Sequence, residues 1–273
     1  MTKSLSMVCA LVTTFIWGTA FIAQDTGMDN IGPLTFNSAR FIIGFFTILP
    51  LALLFERKKI KLEILSKSKL FIKYLVFMGV SLFLGTFLQQ TALQYTNIAN
   101  AAFFTVFYVP IVPILLFFIY SKKVHWSIWP AIGLCILGVY LLSDFSNSEI
   151  MLGDGLVILC SVFWALHIIF AGKFMEEFDI PMFYAALQAL FVATLSFIFS
   201  YIFEEFNISK ILMESSSILY AGALSGGIAF TLQMYAQKNI EEAPAAIIYS
   251  LEGVFAAVAG WIILNQFLST NNM

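Results

Sequence analysis

Glu252 is the only acid placed deep within an apolar run of this chain, about eight residues into a stretch that begins at Pro244. At roughly 1.5 Å per helical residue, that position is near the middle of a bilayer. A carboxyl group at such depth serves as a site for a proton or a substrate amine, or as a structural group fixed by a neighbouring donor. Tyr249 precedes it by three positions and shares its helical face, which suits either case. Arg40 is the only base deep in an apolar run. Its planar fork fits a carboxylate or phosphate; the alternative is a structural residue that hydrogen-bonds between helices or snorkels to the outer boundary. His167 has a side chain that titrates near neutral pH, and it equally fits a hydrogen-bonded core position. Gln89, Gln90 and Gln233 offer donor and acceptor without charge, which suits a zwitterionic or polar solute as well as interhelical bonding. Trp17 and Trp164 lie within apolar runs, where they stack on a ligand or fill the core.

The candidate substrate-binding set is therefore Trp17, Gln89, Gln90, Tyr108, Trp164, His167, Gln233, Tyr249 and Glu252, with Arg40 as an anion-binding or structural residue. These side chains are expected to converge on one central, partly wet pocket. No catalytic residue, metal site or cofactor is expected. The sequence shows no clustered acids for Mg²⁺, no zinc motif, no nucleophile with its base and no P-loop. Cys9, Cys135 and Cys160 lie in apolar runs without metal-ligand spacing and read as packing residues.

The elements that must position this set are membrane helices. Hydrophobic residues make up 60% of the chain and charged ones 11%, with a mean hydropathy of +0.92. That leaves too little polar surface for a soluble fold. The net charge of −2 gives no basic face for nucleic acid. A span needs roughly 20 apolar residues, and nine stretches qualify: 4–23, 33–55, 71–93, 99–120, 127–143, 155–172, 181–203, 216–237 and 244–267. Pro33, Pro181 and Pro244 fall at or near first helical turns, where the missing N–H does no harm. Pro110 and Pro113 fall within the fourth span and permit bending. Gly79, Gly85, Gly222, Gly226 and Gly227 suit close helix packing or hinge motion.

With the N-terminus inside, twelve Lys and Arg residues occupy cytoplasmic loops, including the cluster from Arg57 to Lys73, against Lys210 alone on the other side. That asymmetry sets the orientation. The chain also repeats itself. A shift of 144 places Leu88-Gln89 on Leu232-Gln233, Ala101-Ala102 on Ala245-Ala246 and Tyr108 on Glu252; a shift of 147 places Trp17 on Trp164. Five spans separate the two starts, so the copies have opposite topology. The expected architecture is an all-α integral membrane protein of two inverted five-helix repeats, residues 1–143 and 144–273. Nine spans are visible, and the tenth is missing or truncated after the turn at Asn265–Ser269.

Trp17-Gly18-Thr19-Ala20-Phe21-Ile22-Ala23-Gln24, Gly32-Pro33-Leu34-Thr35-Phe36 and Ala39-Arg40-Phe41 resemble the opening of EamA-type members of the drug/metabolite transporter superfamily. The likeness continues in Gly85–Gln90 and Ala92–Thr96, and returns in Phe163-Trp164-Ala165, Tyr235-Ala236-Gln237 and Ser250–Ala257. Two positions depart from the pattern: Gly253 stands where the family has Pro, and Asn265-Gln266 where it has Gly-Glu. The resemblance implies a ten-helix secondary transporter that exports amino acids, related metabolites or toxic compounds. It is compatible with a homodimer and is weak on substrate. The expectation is a carrier for a small amino-acid-like or other polar or amphipathic metabolite, directed outward across the inner membrane of a bacterium. A membrane-embedded enzyme and a channel are the alternatives.

Overall fold

A computed structural model of the chain describes residues 2–142 and 151–264, and every regular element among them is helical. Eight stretches are long and apolar enough to cross a membrane. Five are unbroken: α1 (Lys3–Thr26), α2 (Pro33–Phe55), α4 (Ser68–Ala92), α8 (Leu152–Glu177) and α9 (Pro181–Phe203). The other three are composite: α5 (Ile98–Thr105) with α6 (Tyr108–Tyr120), α11 (Ser215–Leu219) with a π-helix (Tyr220–Ala229) and α12 (Phe230–Gln237), and α13 (Glu242–Tyr249) with α14 (Leu251–Leu264). The chain is an all-helical integral membrane protein.

At the expected fifth span, 127–143, stands α7 (Ile128–Leu142), a shorter apolar helix over the described residues. The loop at 144–149, the end of the ninth span and the turn at Asn265–Ser269 lie outside the described residues. Between α2 and α4 the basic loop is itself helical, as α3 (Arg57–Ser66). Its Ile60 and Ile64 pack against the cluster of Phe71, Phe174 and Tyr184, leaving the lysines outward. A further short helix, α10 (Ile208–Met213), precedes α11.

The starts of α2 and α9 show why the chain folds as it does. Pro33 has no N–H to lose, and the Phe36 N–H already bonds the Gly32 carbonyl. That leaves the N–H groups of Leu34 and Thr35 without intrahelical partners. The Glu204 carboxylate, at the end of α9, accepts both at 2.9 and 2.8 Å and also the Thr35 hydroxyl at 2.7 Å. The start of α9 repeats the arrangement. Pro181 leads, the Tyr184 N–H bonds Ile180, and Glu56 at the end of α2 accepts from Met182 at 3.1 Å and Phe183 at 2.8 Å. Two antiparallel helices thus cap each other, with Pro33 and Pro181, and Glu56 and Glu204, all separated by 148 positions.

The breaks in the composite spans have local causes. Pro110 cannot donate to the Val106 carbonyl, and the chain tightens there into i−3 bonds from Val106 to Phe103 and Phe107 to Phe104. The ninth span breaks at Ser250, which is Val106 shifted by 144. No proline forces it; Gly253 bonds the Ser250 carbonyl instead. In the π-helix the glycines permit contact with α2. A Cβ on Gly222 would stand 2.6 Å from the Arg40 carbonyl, and one on Gly227 would stand 3.2 Å from that of Gly44.

Candidate functional site

Each break delivers a polar side chain to the middle of the protein. Tyr108 is the first residue of α6, and Glu252 lies in the first turn of α14. The N-terminal end of a half-helix carries unpaired N–H groups and partial positive charge, which favours an acid placed there. Both residues are buried, and they face each other. The Tyr108 hydroxyl meets no partner at hydrogen-bond geometry.

They line a central cavity together with Trp17, Gln89, Trp164, Gln233 and Arg40. Its free volume is about 30 Å³, enough for a water or two and for no organic solute. The walls are aromatic. Trp17 and Trp164 lie 6.3 Å apart between ring centres, Phe230 packs at 5.2 Å on Trp17, and Phe230 stacks on Trp164 at 6.2 Å. Gly18 holds α1 hard against α14 behind this wall, since a Cβ there would stand 2.7 Å from the Glu252 carbonyl.

Arg40 does not snorkel. Its side chain is 4% exposed, lies 4.9 Å over the Phe41 ring and forms no ion pair among the described residues. Its Nε has no acceptor. Gln89 donates to the Thr105 hydroxyl at 3.0 Å, while both polar atoms of Gln233 are unpaired. The cavity thus presents one cationic group, one acid and three amides, Gln24 included, inside a ring of aromatic faces.

Three of the expected residues do not line it. Gln90 ties α4 to α1, donating to the Gln24 carbonyl at 2.7 Å. His167 bonds Gln188 at 2.8 Å and packs edge-on to Phe230. Tyr249 lies behind Trp17, 5.5 Å away. Phe21, Gln24, Thr86, Ile168, Ser225 and Phe230 complete the lining without having been singled out. The repeat held a signal for four of them. Phe21 falls on Ile168 under the shift of 147 that pairs the tryptophans, and Thr86 on Phe230 under the shift of 144 that pairs Gln89 with Gln233.

Away from the cavity, the end of the protein that carries the lysines is held by ion pairs. Asp179 sits between Lys59 and Lys238. Burial alone would raise its carboxyl, but hydrogen bonds from Lys238 and Lys59 hold it below the usual range. The buried Glu242 carboxylate meets Lys122 at 3.0 Å and Lys173 at 3.5 Å. At the opposite end, Thr96 donates to Asp154 at 2.6 Å and Asn30 to Glu214 at 2.6 Å.

Known proteins are similar to this chain over nearly its whole length. An uncharacterized transporter of Archaeoglobus fulgidus is 28% identical over 261 residues, which are 94% of this chain and 78% of that one. The uncharacterized transporter YoaV of Bacillus subtilis is 23% identical over 275 residues, 97% of this chain and 90% of its own. A protein of known crystal structure superposes with a TM-score of 0.76 at 14% identity, covering 99% of this chain and 94% of the other, and so shares its fold. The sequence model of the EamA-like transporter family matches residues 4–144 and 151–273, two successive segments of the chain. With nearly every described helix inside those two segments, the chain belongs to the EamA-like transporter family.

Proposed function

We propose that the protein is a secondary-active carrier that exports a small amino-acid-like or other polar, amphipathic metabolite by alternating access. One observation carries the reading: the deep acid and the deep base, Glu252 and Arg40, line the same narrow cavity. Arg40 suits a carboxylate and Glu252 an ammonium group, while Gln89 and Gln233 take neutral hydrogen bonds and the tryptophans cover an apolar portion. The two halves act as inverted repeats, residues 1–143 and 144–273, meeting at Tyr108 and Glu252. A volume of about 30 Å³ fits a state closed between two open ones better than a standing pore. The lysine-bearing end faces the cytoplasm of a bacterium, which puts the N-terminus inside. Residues Trp17, Gln89, Tyr108, Trp164, Gln233 and Glu252 bind the solute, with Gln90, His167 and Tyr249 supporting them.

Purified protein in liposomes loaded with unlabelled amino-acid pools should accumulate labelled members of the pool by counterflow. Uptake without trans-stimulation would identify a channel. Absence of counterflow with every amino acid and amine tried would remove the zwitterion reading. An impermeant thiol label reaching a cysteine placed at Lys61 in intact cells would overturn the orientation.

A further inference from the structure

The reciprocal caps fix the correspondence between α2 and α9 at 148 positions, independently of residue identity. On that register Arg40 falls on Gln188, and under the shift of 147 Ala20 falls on His167. Arg40 lines the cavity; its counterpart does not. Gln188 is fully buried, and its Oε1 lies 2.8 Å from Nε2 of His167, also fully buried. Because Oε1 accepts, the ring proton belongs on Nε2, leaving Nδ1 as an acceptor. Neither Nδ1 nor the Gln188 amide nitrogen has a partner. Gln233 adds two more unpaired atoms. Orphaned buried groups are costly in a static structure, so a state that satisfies them is implied.

What walls this cluster off is also visible. Thr86 and Phe230 occupy equivalent positions. The small Thr86 lets the cavity reach Gln24 and Arg40, whereas the Phe230 ring stands 5.7 Å from His167, edge to face, and covers it. Repeats that exchange conformations during alternating access must open the equivalent half.

We propose that His167 and Gln188 form a second binding station on the lysine-bearing side, gated by Phe230 from the central cavity that Gln233 lines. It takes the same small polar solute through uncharged contacts: the Gln188 amide to a solute carboxylate oxygen, and His167 Nδ1 to an ammonium or hydroxyl hydrogen. The inference rests on the carrier reading. It is tested in a background free of Cys9, Cys135 and Cys160 with single substitutions Arg40→Cys, Gln188→Cys and His167→Cys. Inside-out and right-side-out vesicles are treated with an impermeant cationic methanethiosulfonate, and adducts are read by mass. Gln188→Cys is modified from the cytoplasmic face and Arg40→Cys from the outer face. Adding Phe230→Ala opens the station to the central cavity and speeds the Gln188→Cys reaction from the outer face about tenfold or more, the effect of roughly 1.4 kcal/mol less gate packing. If Gln188→Cys does not elute as a folded protein, His167→Cys decides. Reaction of Arg40→Cys alone overturns the second station and leaves the carrier reading standing. No reaction at any of the three positions from either face overturns both.

Discussion

Removing the Glu204 carboxylate isolates the contribution of one reciprocal cap. Glu204→Ala leaves the Leu34 and Thr35 N–H groups, together with the Thr35 hydroxyl, without the acceptor they reach at 2.7–2.9 Å. No other backbone group replaces it, because Pro33 and the Phe36–Gly32 bond complete that turn. A lost helix cap costs about 1 kcal/mol, and bonds to a charged acceptor raise this toward 2 kcal/mol. Glu204 is half-buried at a helix end, so water recovers part of the loss, and about 1.5 kcal/mol remains. At roughly 2–3 °C per kcal/mol for a chain of this size, the melting temperature in detergent falls by about 4 °C. Glu204→Gln retains one amide oxygen but turns an NH₂ toward donors, so it loses about half as much. The Glu56 cap lies about 35 Å away along α2, and the double variant Glu56→Ala/Glu204→Ala loses the sum of the single effects to within about 0.5 kcal/mol. A Glu204→Ala protein melting within about 1 °C of the parent would refute the accounting, since even an average cap exceeds that.

Glu252→Gln keeps the shape of the cavity while removing its acid, so expression and elution stay normal and transport is lost or becomes insensitive to pH; transport measured across pH decides, and a wild-type rate and pH response would reduce Glu252 to a structural group. Gly18→Val forces a side chain into the backbone of α14, with an overpacking cost of about 1–3 kcal/mol read as a fall in melting temperature, and an unchanged melt would deny the close approach. Asp179 has its carboxyl lowered in the folded protein, so its contribution is present above the unfolded pKa of about 4 and fades as pH falls through the lower folded value. Asp179→Asn should therefore melt below the parent at pH 7, with the gap narrowing progressively as pH falls below about 4, and a gap that stays constant in acid would argue against the pairing.

Eight of the nine expected spans were legible because an apolar run of membrane length has few other uses, and Trp17 with Trp164 pointed to a repeat. The meeting of Tyr108 with Glu252 followed from the shift of 144 that pairs Gln89 with Gln233. The break ahead of Tyr108 was legible in Pro110, but its counterpart at Ser250 has only Gly253 beside it, and glycine permits a break without requiring one. The mutual caps were not legible. Glu56 and Glu204 stand just past the ends of apolar runs, and the N–H groups they hold belong to a helix more than a hundred residues away. Gln90 and Gln237 show the limit of reading by type. Each donates to a carbonyl of the opening helix of its own half, Gln24 and Ile168, so these amides tie helices together while Gln89 and Gln233 face the cavity. His167 was placed among the lining residues on chemistry alone; the bulk of Phe230 decides otherwise.

The glycine-rich π segment has a consequence for how the chain is built. The stretch Ser215–Gln237 has a hydropathy of 1.2, against 2.5 for Ile98–Tyr120, the lowest and highest among the eight crossing stretches. Entry into lipid from the ribosome depends on that quantity, so this stretch gains least from the bilayer itself. What it gains instead comes from α2, where Gly222 and Gly227 settle onto the carbonyls of Arg40 and Gly44. α2 is synthesised well over a hundred residues earlier and is already in the membrane when the π segment emerges. The first half thus serves the second as a docking template during synthesis, and the helix carrying Arg40 helps to recruit the one carrying Phe230 and Gln233.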